Sequence, residues 1–214
     1  MRGSPRAGPP RTALDTPRKD GQRSGRARNA LAGQGRGVQT ARVLIRRETP
    51  GDVPAVQALT AEAFASAEHP VPVEVTLLAE LRKCDAWLPE LSLVAVDADG
   101  ESVVGHVVCT RAHVGGTPVL GLGPLSVAPE HQRKGVGLAL VHTVLGAADG
   151  LGEPLVALLG SPDYYGRYGF RASTDYRITP PEQAWGPYFQ VRPLSGYTPS
   201  VSGAFRYAEP FDRV

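Results

Sequence analysis

Val127-Ala128-Pro129-Glu130-His131-Gln132-Arg133-Lys134-Gly135-Val136-Gly137 reads as a strand end, a glycine-bearing turn and the first turn of an amphipathic helix. A helix start leaves backbone N–H groups without internal partners, and these converge on one point. The aligned peptide dipoles add about half a positive charge there. Gly135 and Gly137 remove side chains that would hold a ligand off the backbone. The stretch therefore predicts a cradle for a diphosphate. Arg133 and Lys134 either add charge-assisted contacts to it or stand as solvated surface cations.

The neighbouring segments give the cradle its frame. Downstream, Leu140, Val141, Val144, Leu145 and Ala148 line one helix face, and Gly150 ends it. Leu155 to Leu159 is a continuous apolar run, the pattern of a strand covered on both faces. Ser161-Pro162-Asp163 starts a short helix that Gly169 closes. Upstream, Pro118 to Val127 is a strand in which Pro124 marks an edge or a bulge. Leu91 to Val96 and Val103 to Thr110 flank the turn Asp97-Ala98-Asp99-Gly100 as a hairpin, and a second turn lies at His113 to Thr117. Earlier still come a strand at Val43 to Arg47, a helix capped by Asp52 with Pro54 in its first turn, a break at His69-Pro70-Val71-Pro72 and a second helix. The last forty residues are rich in Pro and Tyr, with a closing strand near Gly203 to Ala208. The order predicts an α/β domain: a mixed, mostly antiparallel twisted sheet flanked by helices.

The spacing Gln-x-x-Gly-x-Gly fits neither the long phosphate loop ending in Gly-Lys-Ser/Thr nor the G-x-G-x-x-G dinucleotide fingerprint. It resembles the coenzyme A loop of the GCN5-related N-acetyltransferases, the GNAT superfamily. Gly121-Leu122-Gly123-Pro124-Leu125-Ser126-Val127 and Leu159-Gly160-Ser161-Pro162-Asp163-Tyr164-Tyr165-Gly166-Arg167-Tyr168-Gly169-Phe170 resemble its YhbS-like branch. The likeness runs from about Arg42 to the C-terminus. It implies transfer of an acetyl or short acyl group from acetyl-CoA, as co-substrate, to an amine. The alternative is a CoA-binding sensor or scaffold without catalysis, since fold does not imply function. Gln132, Arg133, Lys134, Gly135, Val136 and Gly137 would then hold the diphosphate. Leu125, Ser126 and Val127 would hold the pantetheine arm where the family's sheet splits, with the Val127 N–H or a near neighbour facing the thioester oxygen.

The resemblance also implies a proton donor for the leaving thiolate five residues before a Gly-Phe phenylalanine. Counting back from Phe170 gives Tyr165, with Tyr164 and Tyr168 as rivals and core packing as the other reading of all three. Glu74, opening the second helix, is either near the acceptor amine or a charge set against a helix dipole. No base is identified. His69, His113 and His131 read as surface histidines, and the histidines show no metal-ligand spacing.

Composition bounds the rest. Residues 1–40 carry nine Arg/Lys and two Asp, a charge of +7 against +2 overall, so the remainder is at −5. That Gly/Pro/Ser/Arg-rich tail is expected to be disordered. It reads as a nucleic-acid or membrane-surface arm, a transit-like leader, or an unselected extension. Residues 41–214 are expected to form one domain, large enough to bury about 70% of its unfolded surface. Cys84 and Cys109 suit reduced thiols and hence a cytoplasmic setting. No run of apolar residues is long enough for a membrane span. The expected partners are acetyl-CoA and an amine, with the chain a monomer or homodimer and nucleic acid disfavoured by the acidic domain.

Overall fold

The computed structural model describes residues 42–66, 72–100 and 102–213. The tail and His69 lie outside them. The elements are β1 (Leu44–Arg47), α1 (Val53–Phe64), α2 (Val73–Leu81), β2 (Trp87–Val96), β3 (Val103–Val114), β4 (Thr117–Val127), α3 (Val136–Gly150), β5 (Leu155–Leu159), α4 (Pro162–Tyr165), β6 (Arg171–Ala172), β7 (Ile178–Thr179), β8 (Phe189–Pro193) and β9 (Gly203–Arg206).

The sheet runs β1-β2-β3-β4-β5-β8-β6, and β9 pairs with the end of β3 and with β7. Pairing along the main path is antiparallel except for β4 with β5. That pairing is short: Leu120 faces Val156, Gly121 faces Ala157, and the two strands then part. A parallel pair needs a crossover, and α3 supplies it across one face of the sheet. Val136, Leu140, Val141, Val144 and Leu145 pack there against Leu93, Val107, Cys109 and Leu125. A Cβ on Gly105 would lie 2.8 Å from Leu140 Cδ1 and 2.9 Å from Val136 Cγ1, so this glycine lets α3 sit close. The other face carries α1 and α2, where Val56 and Leu78 meet Val94, Val96 and Val108.

Several details differ from the expectations. Asp52 stands at the N-terminus of α1 but does not cap it through its side chain. Its carboxylate instead accepts from Thr49 N at 2.8 Å and from Arg46 Nη1 at 2.7 Å, tying the preceding turn to β1. With its oxygens taken by Arg46 and Thr49, Asp52 sits well below the usual carboxylate range, the Arg46 hydrogen bond being the largest cause. Ser161 likewise caps α4 only through its carbonyl, which accepts from Tyr164 and Tyr165 N at 3.0 and 2.9 Å. His113 belongs to β3, opposite Pro118, and only Gly115-Gly116 turn. β8, unpredicted, covers the outer edge of β5 with five paired residues.

Pro124 sits in a bulge. Val107 pairs with Leu125 but Cys109 pairs with Leu122, so Gly123 and Pro124 together oppose Val108. An imino acid has no N–H to give the ladder, and the extra residue absorbs that loss. Gly123, at φ 147°, takes the conformation the bulge needs.

Candidate active site

The turn between β4 and α3 is held from below. Ala128 N donates to Val104 O at 3.0 Å, and His131 N and Gln132 N donate to Ala128 O at 2.8 and 3.0 Å. Gln132 Nε2 donates to Val127 O at 3.1 Å. The backbone N–H and one side-chain N–H of Gln132 are thus committed to the turn, and the side chain fastens the loop. Beyond it, Arg133 at φ 59° and Gly135 at φ 91° turn the backbone left-handed. Alternation of this kind points successive N–H groups inward as an anion nest. Among the described residues, the amides of 133–138 find no acceptor within the chain, while Ala139 N bonds Gly135 O at 3.0 Å. Donors with no well-formed bond of their own thus gather at the start of a 15-residue helix. Arg133, Lys134 and Gly135 are exposed around them.

Directly before this turn, residues 122–127 have no strand partner on the side of β5. Leu125 and Val127 send their side chains into the α3 core. Ser126 points the other way, and its hydroxyl lies 3.1 Å from that of Thr60 on α1. What this stretch can offer a ligand within the gap is backbone, with the Ser126 hydroxyl on the α1 side of it.

Tyr165 is fully enclosed, packed against Gly160 at the end of β5. Its ring is edge-on to Tyr164 at 4.8 Å and to Phe170 at 5.8 Å. Tyr164 and Tyr168 do share a face, and Tyr168 Oη donates to Tyr164 Oη at 3.1 Å. Burial pushes the Tyr164 phenol far above its ordinary value. Glu74, half-buried in the first turn of α2, belongs to the opposite face of the sheet from α3. His131 lies 3.4 Å from Glu130 and is mostly covered rather than solvent-facing.

Sequence reading missed a buried polar cluster under α1 and α2. Glu48, just after β1, accepts from Arg82 Nε at 3.0 Å and Nη2 at 2.6 Å. It also accepts from the Ser92 hydroxyl. His106 Nε2 lies 3.0 Å from Ser92 Oγ and 3.3 Å from Glu48 Oε2. Burial alone would raise the Glu48 carboxyl. Hydrogen bonds from His106 and Ser92 and the Arg82 charge outweigh it and bring it to about 2. His106 is lowered, chiefly by burial, with Glu48 opposing. Four residues from β1, α2, β2 and β3 make the cluster, and no motif could have announced it.

A depressed carboxyl stabilises the fold above its unfolded value of about 4.3 and loses that contribution as pH falls. Stability should therefore decline as pH drops from about 5 to the folded value of about 2. Glu48→Gln is expected to be less stable at neutral pH and to decline less steeply in that window, measured by thermal melts at a series of pH values. Among the described residues there is no group of His, Cys, Asp and Glu that could hold a metal, and no helix long and apolar enough to cross a membrane.

A sheet that parts beside a nest of free amides, with a tyrosine-bearing turn following the far strand, is the arrangement of a CoA-dependent acyltransferase. The chain belongs to the acetyltransferase (GNAT) domain family, whose model matches residues 44–173. It is 32% identical over 174 residues to the uncharacterized N-acetyltransferase YhbS of Escherichia coli K12, covering 80% of this chain and 99% of that protein. The crystal structure of E. coli YhbS in complex with CoA superposes with a TM-score of 0.72 at 30% identity, covering 81% of this chain and 93% of that one. A GNAT acetyltransferase from Brucella melitensis in complex with acetyl-CoA gives a TM-score of 0.63 at 31% identity, covering 80% and 99%.

Proposed function

We propose that the chain transfers an acetyl or short acyl group from acetyl-CoA to a primary amine. The observation that carries this is the set of unpaired amides of 133–138 at the start of α3, beside the unpaired length of β4. The amides and the helix dipole suit a diphosphate, and Arg133 and Lys134 stand free to add charge. Backbone groups of the stretch Leu125, Ser126 and Val127 that face away from β3 would bond an extended pantetheine arm as a further strand would. An N–H of this stretch would steady the oxyanion, a contribution of about 3 kcal/mol for one such donor. Gln132 keeps the turn in shape. Tyr165, buried at the turn that follows β5, is the proton donor for the leaving sulfur. Glu74 lies on the acceptor side of the sheet and would meet a cationic acceptor.

Mixing the protein with acetyl-CoA and a panel of primary amines (free amino acids, polyamines, arylalkylamines and a peptide N-terminus) is expected to release free thiol. Absence of acetyl-CoA binding by calorimetry at millimolar concentration would overturn the reading.

A further inference from the structure

The cluster around His106 has a direction. Ser92 has one hydroxyl proton, and it goes to the Glu48 carboxylate, which can only accept. The Ser92 oxygen, 3.0 Å from His106 Nε2, therefore receives the Nε2–H, and so does Glu48 at 3.3 Å. That fixes the tautomer: Nε2 bears the proton and Nδ1 bears the lone pair. Nδ1 is buried and has no hydrogen-bonding partner among the described residues. An acceptor left dry costs stability, and so does burying a Glu-Arg pair beside it. A buried, polar cluster with one unpartnered ring nitrogen is costly to assemble, which marks it as a functional-site candidate.

The strand register supplies the connection. His106 on β3 stands directly opposite Ser126 on β4. Opposed residues share a face with Cβ atoms about 5 Å apart. Ser126 lies in the unpaired length of β4 where the thioester is proposed to rest, and its hydroxyl already has one polar neighbour in Thr60. The one gap between the split in the sheet and Glu48 lies between Ser126 Oγ, which rests on Thr60, and His106 Nδ1, which bonds nothing among the described residues; a turn of the Ser126 side chain toward the residue opposite would close it. The groups facing His106 are Glu48 after β1, Arg82 at the end of α2, Ser92 on β2, Ser126 on β4 and, beyond it, Thr60 on α1. Arg46 and Asp52, one strand further out, are spent on each other.

We propose that His106 Nδ1 takes the proton of the attacking amine through the Ser126 hydroxyl, with Glu48 and Ser92 as the residues that position the imidazole. This rests on the acetyl-transfer reading above and names the base that reading lacks. One N–H proton of the amine moves to Ser126 Oγ as the Ser126 proton moves to Nδ1. The nitrogen pair forms the C–N bond to the thioester carbon, the C–S bond breaks, and the sulfur takes the Tyr165 phenol proton. Imidazolium and phenolate then exchange one proton through water, which restores both. Glu48 steadies the imidazolium while it lasts. The lowered basicity of His106 leaves it neutral and ready at pH 7.

The test is the pH dependence of kcat with whichever amine of the panel reacts fastest. His106→Gln keeps a donor where Nε2 stands, so the bond to Ser92 survives, but it has no Nδ1 lone pair. General-base loss typically costs 10²–10⁴-fold, so kcat should fall about 100-fold with acetyl-CoA affinity unchanged within about twofold. The acid limb of the native profile should disappear, an effect that mere loosening of the fold would not produce. Ser126→Ala should slow kcat similarly, because it cuts the path and leaves the imidazole in place. A His106→Gln protein within about threefold of native kcat, showing the native acid limb, overturns the proposal and leaves acetyl transfer standing. If His106→Gln does not fold, native kcat in Ser126→Ala overturns it. Native protein that binds acetyl-CoA yet releases no thiol with any amine overturns the transfer reading itself, and this inference with it.

Discussion

Gly135→Asp is expected to weaken acetyl-CoA binding by at least about 100-fold, or about 2.7 kcal/mol, while the protein stays folded. Gly135 is the residue that caps α3, at φ 91° and ψ −3°. A carboxylate there would stand beside the amides of the native turn and place a negative charge where the diphosphate is expected. The left-handed backbone costs roughly 1–2 kcal/mol, less for Asp than for most residues. The melting temperature should therefore fall by only a few degrees, while the diphosphate meets a like charge. Calorimetric titration with acetyl-CoA measures the first effect and a thermal melt the second. Unchanged affinity would mean that 133–138 do not hold the ligand.

Tyr165→Phe is expected to lower kcat about 100-fold, the scale of a lost proton transfer, with acetyl-CoA affinity unchanged. The phenyl ring keeps the packing against Tyr164 and Phe170, so the comparison isolates the hydroxyl. Tyr164→Phe is the control. Its hydroxyl is engaged by Tyr168, so it should cost far less. Steady-state thiol release with native protein and both variants decides between them. If Tyr164→Phe is the slow one, the proton comes from the neighbouring ring.

The glycine turn, α3 and β5 were legible because their signals are local. Spacing, a run of apolar residues and a helix-start pattern each lie within one element. The bulge at Gly123-Pro124 was half legible: proline excluded a regular ladder but did not say whether an edge or an insertion replaced it. β8 hid because Phe189–Pro193 is short, ends in proline and carries Gln190 and Arg192. Asp52 looked like a cap because nothing in its own segment reveals Arg46 across the turn. The His106 cluster was invisible for the same reason on a larger scale. Glu48, Arg82, Ser92 and His106 meet only once the first three strands and α2 are assembled.

The bulge in β4 also decides which atoms face which compartment. Side chains alternate across a strand, and one inserted residue inverts the alternation from there on. Ahead of it, the odd-numbered Val119 and Gly121 share their side of the sheet with Ala112 and Thr110; after it, the even-numbered Ser126 shares that side with His106. Delete a single residue at 123 or 124, and Leu125 and Val127 would be thrust beneath α1 and α2. The serine hydroxyl would then be stranded in the oily layer under α3, parted from Thr60 and from the face that His106 shares.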